Sequence, residues 1–184
     1  DEFPEVGVIV LDENIGIAGW NEGFAVARGA YVFVLDDDSY PVGDAVRESV
    51  RYMETHTGCG VLGLRIYNER LGREETADFT AGEEKTFIGC GAVIRREVIE
   101  RIGGFDRRLF LYEHEREYAL RTRAAAFSVR YLPSALVHHR ASVKNRGLAR
   151  GLLRADAAAD AEISRGGKLA DQRNSRKRRC LRPY

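Results

Sequence analysis

Cysteine is scarce. Cys59, Cys90 and Cys180 are the only three in 184 residues, an odd number without ligand-like spacing. That excludes a disulfide scaffold, argues against a structural zinc module and makes a reducing cytoplasmic setting the expectation. No apolar stretch approaches the roughly 18 residues a membrane-spanning helix needs. The opening Asp1-Glu2-Phe3-Pro4 lacks the basic start and apolar block of a secretory signal. Charge of one sign is missing as well. Lys and Arg number 29 against 28 Asp and Glu, a formal net charge of +1, so no global field draws the chain to a specific nucleic acid. Internal repeats are absent. The segment Asn14-Ile15-Gly16-Ile17-Ala18-Gly19 is not a GxGxxG fingerprint, which argues against a nicotinamide cofactor. What remains is a globular composition, 44% apolar and 31% charged, with length enough for one domain and its core.

Apolar runs alternate with helical patterns. Residues 6–11, 31–35, 60–66 and 87–94 are rich in β-branched or aromatic residues and read as strands, with 129–131 and 136–138 as two shorter ones. Helical spacing covers 14–28, 42–55, 95–102 and 113–126, and the third of these ends at Gly103-Gly104. The pattern predicts an α/β fold with a mostly parallel sheet flanked by helices. Residues 68–85 are polar and irregular. From about Lys144 the composition shifts to Ala and Arg, so the domain is expected over 1–145, followed by a helical or disordered basic tail over 146–184.

Three carboxylates in a row, Asp36-Asp37-Asp38, end the second apolar run. Folding has no use for such repulsion, whereas open α/β sheets bind ligands beyond the carboxyl ends of their strands. Residues i and i+2 of a strand share a face, so Asp36 and Asp38 can converge on a hard divalent cation, and a cation suits a diphosphate. A solvated acidic loop is the plain alternative. Glu113-His114-Glu115-Arg116-Glu117 opens a helix just after the apolar Phe110-Leu111-Tyr112. Acidic residues are favoured there by the helix dipole, yet a carboxylate half-buried beside aromatics also has its pKa raised toward a general base's range. His138 and His139 end the last apolar run. Adjacent strand residues face opposite ways, so only one of them can meet a given site. An imidazole added to two carboxylates favours manganese over magnesium.

Taken in order, these segments resemble the family 2 glycosyltransferases of the GT-A fold, in particular bacterial rhamnosyltransferase-like ones. Asn14-Ile15-Gly16-Ile17-Ala18-Gly19-Trp20-Asn21-Glu22-Gly23 is similar to the family's N-x-G-x-a-g-x-N-x-G segment, and residues 29–41 to its DxD strand and loop. Residues 87–96, Gly103-Gly104-Phe105-Asp106, the acidic helix with Arg121, and residues 133–142 continue the match. The resemblance implies inverting transfer from a nucleotide-diphosphate sugar to a hydroxyl on a glycan, a lipid-linked or a small-molecule acceptor. It implies Asp38, Asp36 and His139 as ligands of Mn or Mg, and Asn14, Gly16, Asn21, Asp36, Asp37, Gly89 and Gly91 on the donor side. It places Asp106, Tyr112 and His114 on the acceptor side. The family's Glu-Asp pair reads His114-Glu115 here, making Glu115 the base. Family members carry a first strand, helix and second strand before the Asn14 segment; here only the 6–11 strand precedes it, so the resemblance implies an N-terminally incomplete unit. A remnant that binds a diphosphate, glycan or partner without turnover is the alternative. The basic tail suggests peripheral contact with the inner face of a membrane.

Overall fold

A computed structural model of the protein describes residues 6–141. Its frame is a mixed sheet with helices on both faces. The strands are β1 (Tyr31–Val34), β2 (Ser39–Pro41), β3 (Cys59–Asn68), β4 (Arg73–Glu74), β5 (Gly82–Glu83), β6 (Ala92–Arg95) and β7 (Ser128–His139). The helices are α1 (Trp20–Val26), α2 (Ala45–Thr55), α3 (Arg96–Ile102) and α4 (His114–Ala124). The main path runs β1-β6-β3-β7-β2, with β4 on β3 and β5 on β7.

The α/β architecture is as the sequence predicts, but the strands are not mostly parallel. Among the described residues only β3 and β7 run parallel; β6 lies antiparallel between β1 and β3, and β2 lies antiparallel to β7. The reason is connectivity. Strand β6 enters from the irregular 68–85 segment, not from a crossover helix, and nothing then forces a parallel return.

β3 explains why the sheet holds. Its residues from Cys59 to Leu64 are all buried, as expected of a strand covered on both faces. Val61 packs with Phe24, Val98, Phe105 and Tyr118 beneath α1, α3 and α4, while Leu62 and Leu64 pack with Ala45 and Met53 of α2 on the other side. Gly103, at φ 78, stops α3 in a backbone region that favours glycine.

Two strand predictions are corrected. Residues 6–11 form no strand: Val8 and Val10 are 80% and 84% exposed, and among the described residues no strand pairs with them. A β-branched run needs a hydrogen-bonding neighbour to become a strand, and its own sequence cannot supply one. The two short strands expected at 129–131 and 136–138 are one strand. β7 continues through Pro133, with the register against β3 jumping from Leu64↔Leu132 to Arg65↔Leu136. The bulge carries the proline that cannot donate to the ladder.

Candidate active site

The acidic triplet occupies the turn between β1 and β2, and that turn is tightly held. The Asp36 N–H donates to Ser39 Oγ at 2.9 Å, and the Ser39 N–H and hydroxyl both donate back to the Asp36 carbonyl at 3.1 Å. β2 then pairs with the end of β7, setting Ser39 opposite His139, and the Arg140 N–H donates to the Asp38 carbonyl at 2.8 Å. Main-chain bonds thus fix the triplet beside the histidine. His139 Nε2 lies 3.2 Å from Asp38 Oδ1.

The opposite edge of the imidazole meets a residue of the polar 68–85 segment. His139 Nδ1 is 3.1 Å from Glu75 Oε2. The other Glu75 oxygen accepts from the amide of Asn68, a fully buried β3 residue in register with His139. Cys90 also converges here, its Sγ 3.7 Å from His139 Nδ1. Asp36, Cys90 and His139 each offer a ligand atom, all within 4.8 Å of one another. Sequence spacing alone could not reveal either residue, because both arrive from other strands' loops.

The electrostatics follow from burial and crowding. Burial, then the Asp38 charge, raises the Asp36 carboxyl, with His139 pulling the other way. The hydrogen bond to Glu75 is the main cause that raises the His139 imidazole. Burial first, and the Asp36, Glu75 and Asp38 charges after it, push the Cys90 thiol well up. Three carboxylates around one imidazole and one thiol carry surplus negative charge, and this oxygen and nitrogen donor set fits a divalent cation held by Asp36, Asp38 and His139.

The second half of the site is the start of α4. Glu113, just before the helix, has φ 64, a left-handed conformation uncommon for a residue with a Cβ. His114 turns inward, 4% exposed, edge-on to Phe105 with ring centroids 5.2 Å apart. Its Nδ1 stands 3.1 Å from Glu115 Oε2, but neither ring nitrogen has a well-formed hydrogen bond. Burial pushes its pKa down to about 4, so the ring is neutral. Burial raises the Glu115 carboxyl, while the Gly89 N–H donates to Oε1 at 3.4 Å. A Cβ on Gly89 would stand 3.2 Å from His114 Nε2 and 3.4 Å from Glu115 Oε1. The turn Gly89–Gly91 therefore touches Glu115 with its first residue and the acidic cluster with its second.

Other residues singled out from the sequence take part differently. Asn14 Oδ1 accepts from the Gly16 N–H at 3.0 Å, and Gly16, at φ 61, leaves no room for a Cβ, which would fall 2.0 Å from the Phe110 carbonyl oxygen. Both amide ends of Asn21 are engaged by Phe105: Nδ2 donates to its carbonyl at 2.9 Å and Oδ1 accepts from its N–H at 2.7 Å. Gly91 faces Ile66 and Val137 in the core, not an open site. Asp37 is exposed at the turn, and Tyr112 is half-buried ahead of α4. Asp106 is held well below the usual carboxylate range, at about 2, by the Arg108 side chain. His138 lies on the other face of β7, with Nδ1 2.8 Å from Glu69 Oε1 and its ring against Tyr40 and Tyr67. The basic tail, Cys180 and the end of the 133–142 motif lie outside the described residues.

Solved structures share this frame. A mannosyltransferase, PcManGT from Pyrobaculum calidifontis in complex with GDP-Man and Mn2+, matches with 17% identity and a TM-score of 0.55, over 70% of this chain and 37% of that one. TarS of S. aureus matches with 15% identity and a TM-score of 0.58, over 72% and 26%. GalNAc-T7 with UDP, GalNAc and Mn2+ also gives 15% and 0.58, over 70% and 31%. The chain spans less than half the length of each. At these identities the likeness establishes the α/β GT-A-like fold. No curated protein matches the sequence. Residues 1–103 match the family profile described as Glycosyl transferase family 2; with more than half of the sequence inside that match, and the acidic turn, the histidine and the acidic helix gathered on a GT-A frame, the chain belongs to glycosyl transferase family 2.

Proposed function

We propose that this domain moves a sugar from a nucleotide-diphosphate sugar to a hydroxyl acceptor, with inversion at the anomeric carbon and with help from Mn or Mg. One observation carries the reading. The Gly89–Gly91 turn meets a desolvated carboxylate, Glu115, with its first residue and, with Cys90, the wall where Asp36 and His139 converge and Asp38 faces the other edge of the imidazole. A base and a cation site sharing one wall is what direct displacement of a diphosphate requires. The GDP-Man and Mn2+ of one structural relative, and the UDP, GalNAc and Mn2+ of another, support the same class of donor.

Glu115 accepts the proton of the acceptor hydroxyl as its oxygen attacks the anomeric carbon. Its raised pKa brings it nearer the working pH, where a base is most effective. His114 helps by staying neutral: a cationic ring at 3.1 Å would compete for the Glu115 charge. Asp106 and Tyr112 lie on the acceptor side of this base, and Asn14, Gly16 and Asn21 shape the donor-side wall next to Phe110 and Phe105. Asp36, Asp38 and His139 would hold the cation, which when bound neutralises charge growing on the departing diphosphate. Glu75 orients the imidazole from behind. A cytoplasmic setting, with the basic tail against an anionic membrane surface, fits an acceptor that is lipid-linked.

The test is a calorimetric titration of nucleoside diphosphates and their sugars with and without Mn2+, followed by a transfer screen. Asp38→Ala is expected to remove the metal-dependent part of donor binding. Glu115→Gln should keep donor binding and lose roughly 10²–10⁴ in transfer rate, the usual worth of a general base. Equal donor affinity in wild type and Asp38→Ala rejects the cation assignment, and unimpaired transfer by Glu115→Gln moves the base elsewhere. Donor binding without any transfer is the result the non-catalytic alternative requires.

A further inference from the structure

The two nitrogens of His139 face different chemistry. Nε2 looks at Asp38, an oxygen environment suited to a hard ion. Nδ1 meets the Glu75 carboxylate at 3.1 Å and, unlike Nε2, also the Cys90 sulfur, 3.7 Å away. We propose that Cys90, His139 Nδ1 and Asp36 form a second binding mode of this cluster, which takes a thiophilic divalent cation of the zinc, cobalt or cadmium kind with sulfur as a direct ligand. The inference rests on the reading of Asp36 and His139 as cation ligands and adds to it a choice between ions.

Geometry carries the argument. Zinc sits about 2.3 Å from a thiolate and about 2.0–2.1 Å from an imidazole nitrogen, in a tetrahedron. Those bond lengths put sulfur and nitrogen about 3.6 Å apart across the metal. Cys90 Sγ and His139 Nδ1 already stand 3.7 Å apart, and the Cys90 sulfur, an Asp36 oxygen and a His139 ring nitrogen all lie within 4.8 Å of one another. Glu75, 3.1 Å from the same nitrogen, brings a further carboxylate beside the group. With the metal on Nδ1, the Nε2 proton points at Asp38 Oδ1, 3.2 Å away, the carboxylate partner that metal-bound imidazoles commonly have.

The position of the sulfur is also fixed by the fold. Cys90 is 4% exposed at the centre of the Gly89–Gly91 turn, whose flanking glycines are closely packed. A Cβ on Gly91 would fall 2.3 Å from Ile66 Cδ1, and the Gly89 backbone is seated against His114 and Glu115. As the sulfur–metal bond forms, the thiol proton leaves to solvent, so the bound state carries a thiolate and one proton is released. One imidazole and one Asp36 serve both modes, so a sulfur-bound ion excludes Mn2+ from the oxygen side. Softness then decides occupancy: thiolate prefers zinc and its like, whereas carboxylate prefers manganese and magnesium.

Titrating the metal-free 184-residue chain with Co2+ tests this directly. The expected result is one equivalent of tetrahedral cobalt with a near-ultraviolet sulfur-to-cobalt charge-transfer band, displaced by Zn2+. The band should vanish in Cys90→Ser and persist in a Cys59→Ala/Cys180→Ser variant, whose only thiol is Cys90. Cys90→Ser should weaken Zn2+ by roughly ten- to a hundredfold or more, since even an outer-shell partner is worth that much, and should shift the Zn2+ over Mn2+ preference by a similar factor. Should Cys90→Ser fail to fold by circular dichroism, the Cys59→Ala/Cys180→Ser spectrum alone decides. Cobalt bound without the charge-transfer band overturns the sulfur assignment while leaving the cation reading standing. A folded chain that takes up neither Mn2+, Co2+ nor Zn2+ overturns both.

Discussion

Replacing Asn21 by alanine should cost about 2–4 kcal/mol of folding stability, and the figure can be built from two bonds. The side chain donates to the Phe105 carbonyl at 2.9 Å and accepts from the Phe105 N–H at 2.7 Å. Each is worth about 0.5–1.5 kcal/mol net, and a buried donor left without a partner costs about 1–3 kcal/mol more. Phe105 is 3% exposed, so its freed N–H finds no easy water. Trp20, the only tryptophan, neighbours Asn21 and meets the Phe105 ring edge-on at 5.9 Å, so its fluorescence reports on the same contact. In urea, with a slope near 2 kcal/mol per molar, the midpoint should fall by roughly 1–2 M. Asn21→Asp gives a sharper second arm. It keeps the acceptor but turns the donor into a carboxylate oxygen facing the Phe105 carbonyl, which favours the protonated acid and raises its pKa in the folded state. A raised acid pKa destabilises above that value and the loss is recovered below it, so this variant should gain on wild type as pH falls from about 7 to about 5. A stability change for Asn21→Ala within about 0.5 kcal/mol would refute the reasoning. Loss of donor affinity at unchanged stability would instead make Asn21 a donor ligand.

Burial holds the His114 pKa at about 4 against an ordinary 6.5; at about 1.4 kcal/mol per unit, that represents up to about 3 kcal/mol of stability. Because the folded pKa is depressed, this contribution is complete above pH 6.5 and is lost as pH falls through 4. Glu115, raised by burial, works in the opposite direction, so His114→Phe in a Glu115→Gln background isolates the histidine; acid unfolding should flatten there relative to Glu115→Gln alone, and an unchanged profile counts against a buried neutral ring. Gly91→Ala should cost about 1–3 kcal/mol by overpacking against Ile66 Cδ1. Adding Ile66→Val, which removes that atom, should recover part of the loss in a thermal melt, and no recovery would point to backbone strain. Glu113→Gly should raise stability by about 0.5–1 kcal/mol, because a left-handed residue with a Cβ costs about 1–2 kcal/mol and glycine's extra chain entropy offsets only part of that. A melting temperature unchanged or lowered would mean that other contacts set this φ.

Periodicity made α2, α3 and α4 legible within a few residues of their ends, because each carries a buried stripe and ends at a breaker or a charged turn. β3 was legible for a different reason: a run buried on both faces cannot be anything polar. The direction of β6 was not, since hydrogen-bond partners are chosen by the whole sheet. β2 escaped notice altogether. Ser39, Tyr40 and Pro41 have no strand signature of their own, and they extend only because β7 lies beside them. The same non-local logic divides the site. Asp36, Asp38, Glu115 and His139 could be suspected because each belongs to a short pattern at the end of an element. Glu75 and Cys90 could not, as one sits in a polar stretch and the other between two glycines, and only the packed sheet brings both to His139. His138 and His139 illustrate the middle case. Strand alternation separates them, the family resemblance points to His139, and the pairing with Ser39 sets that residue beside the triplet.

The bond from the Arg140 N–H to the Asp38 carbonyl also sets a timetable. The acidic turn is made early by a ribosome and its histidine late, with α2, α3, α4 and most of the sheet in between. β2 has, among the described residues, no strand partner but β7, so the turn's own Asp36–Ser39 bonds cannot set Asp36 and Asp38 beside His139 before residues 128–139 have emerged and closed a long loop. Such closure follows, and does not precede, the local helices and hairpins. A nascent or interrupted chain therefore carries the carboxylates without the imidazole, and cannot capture a cation with the finished geometry. On the proposed reading, cation binding by this domain would report that β2 and the end of β7 have paired.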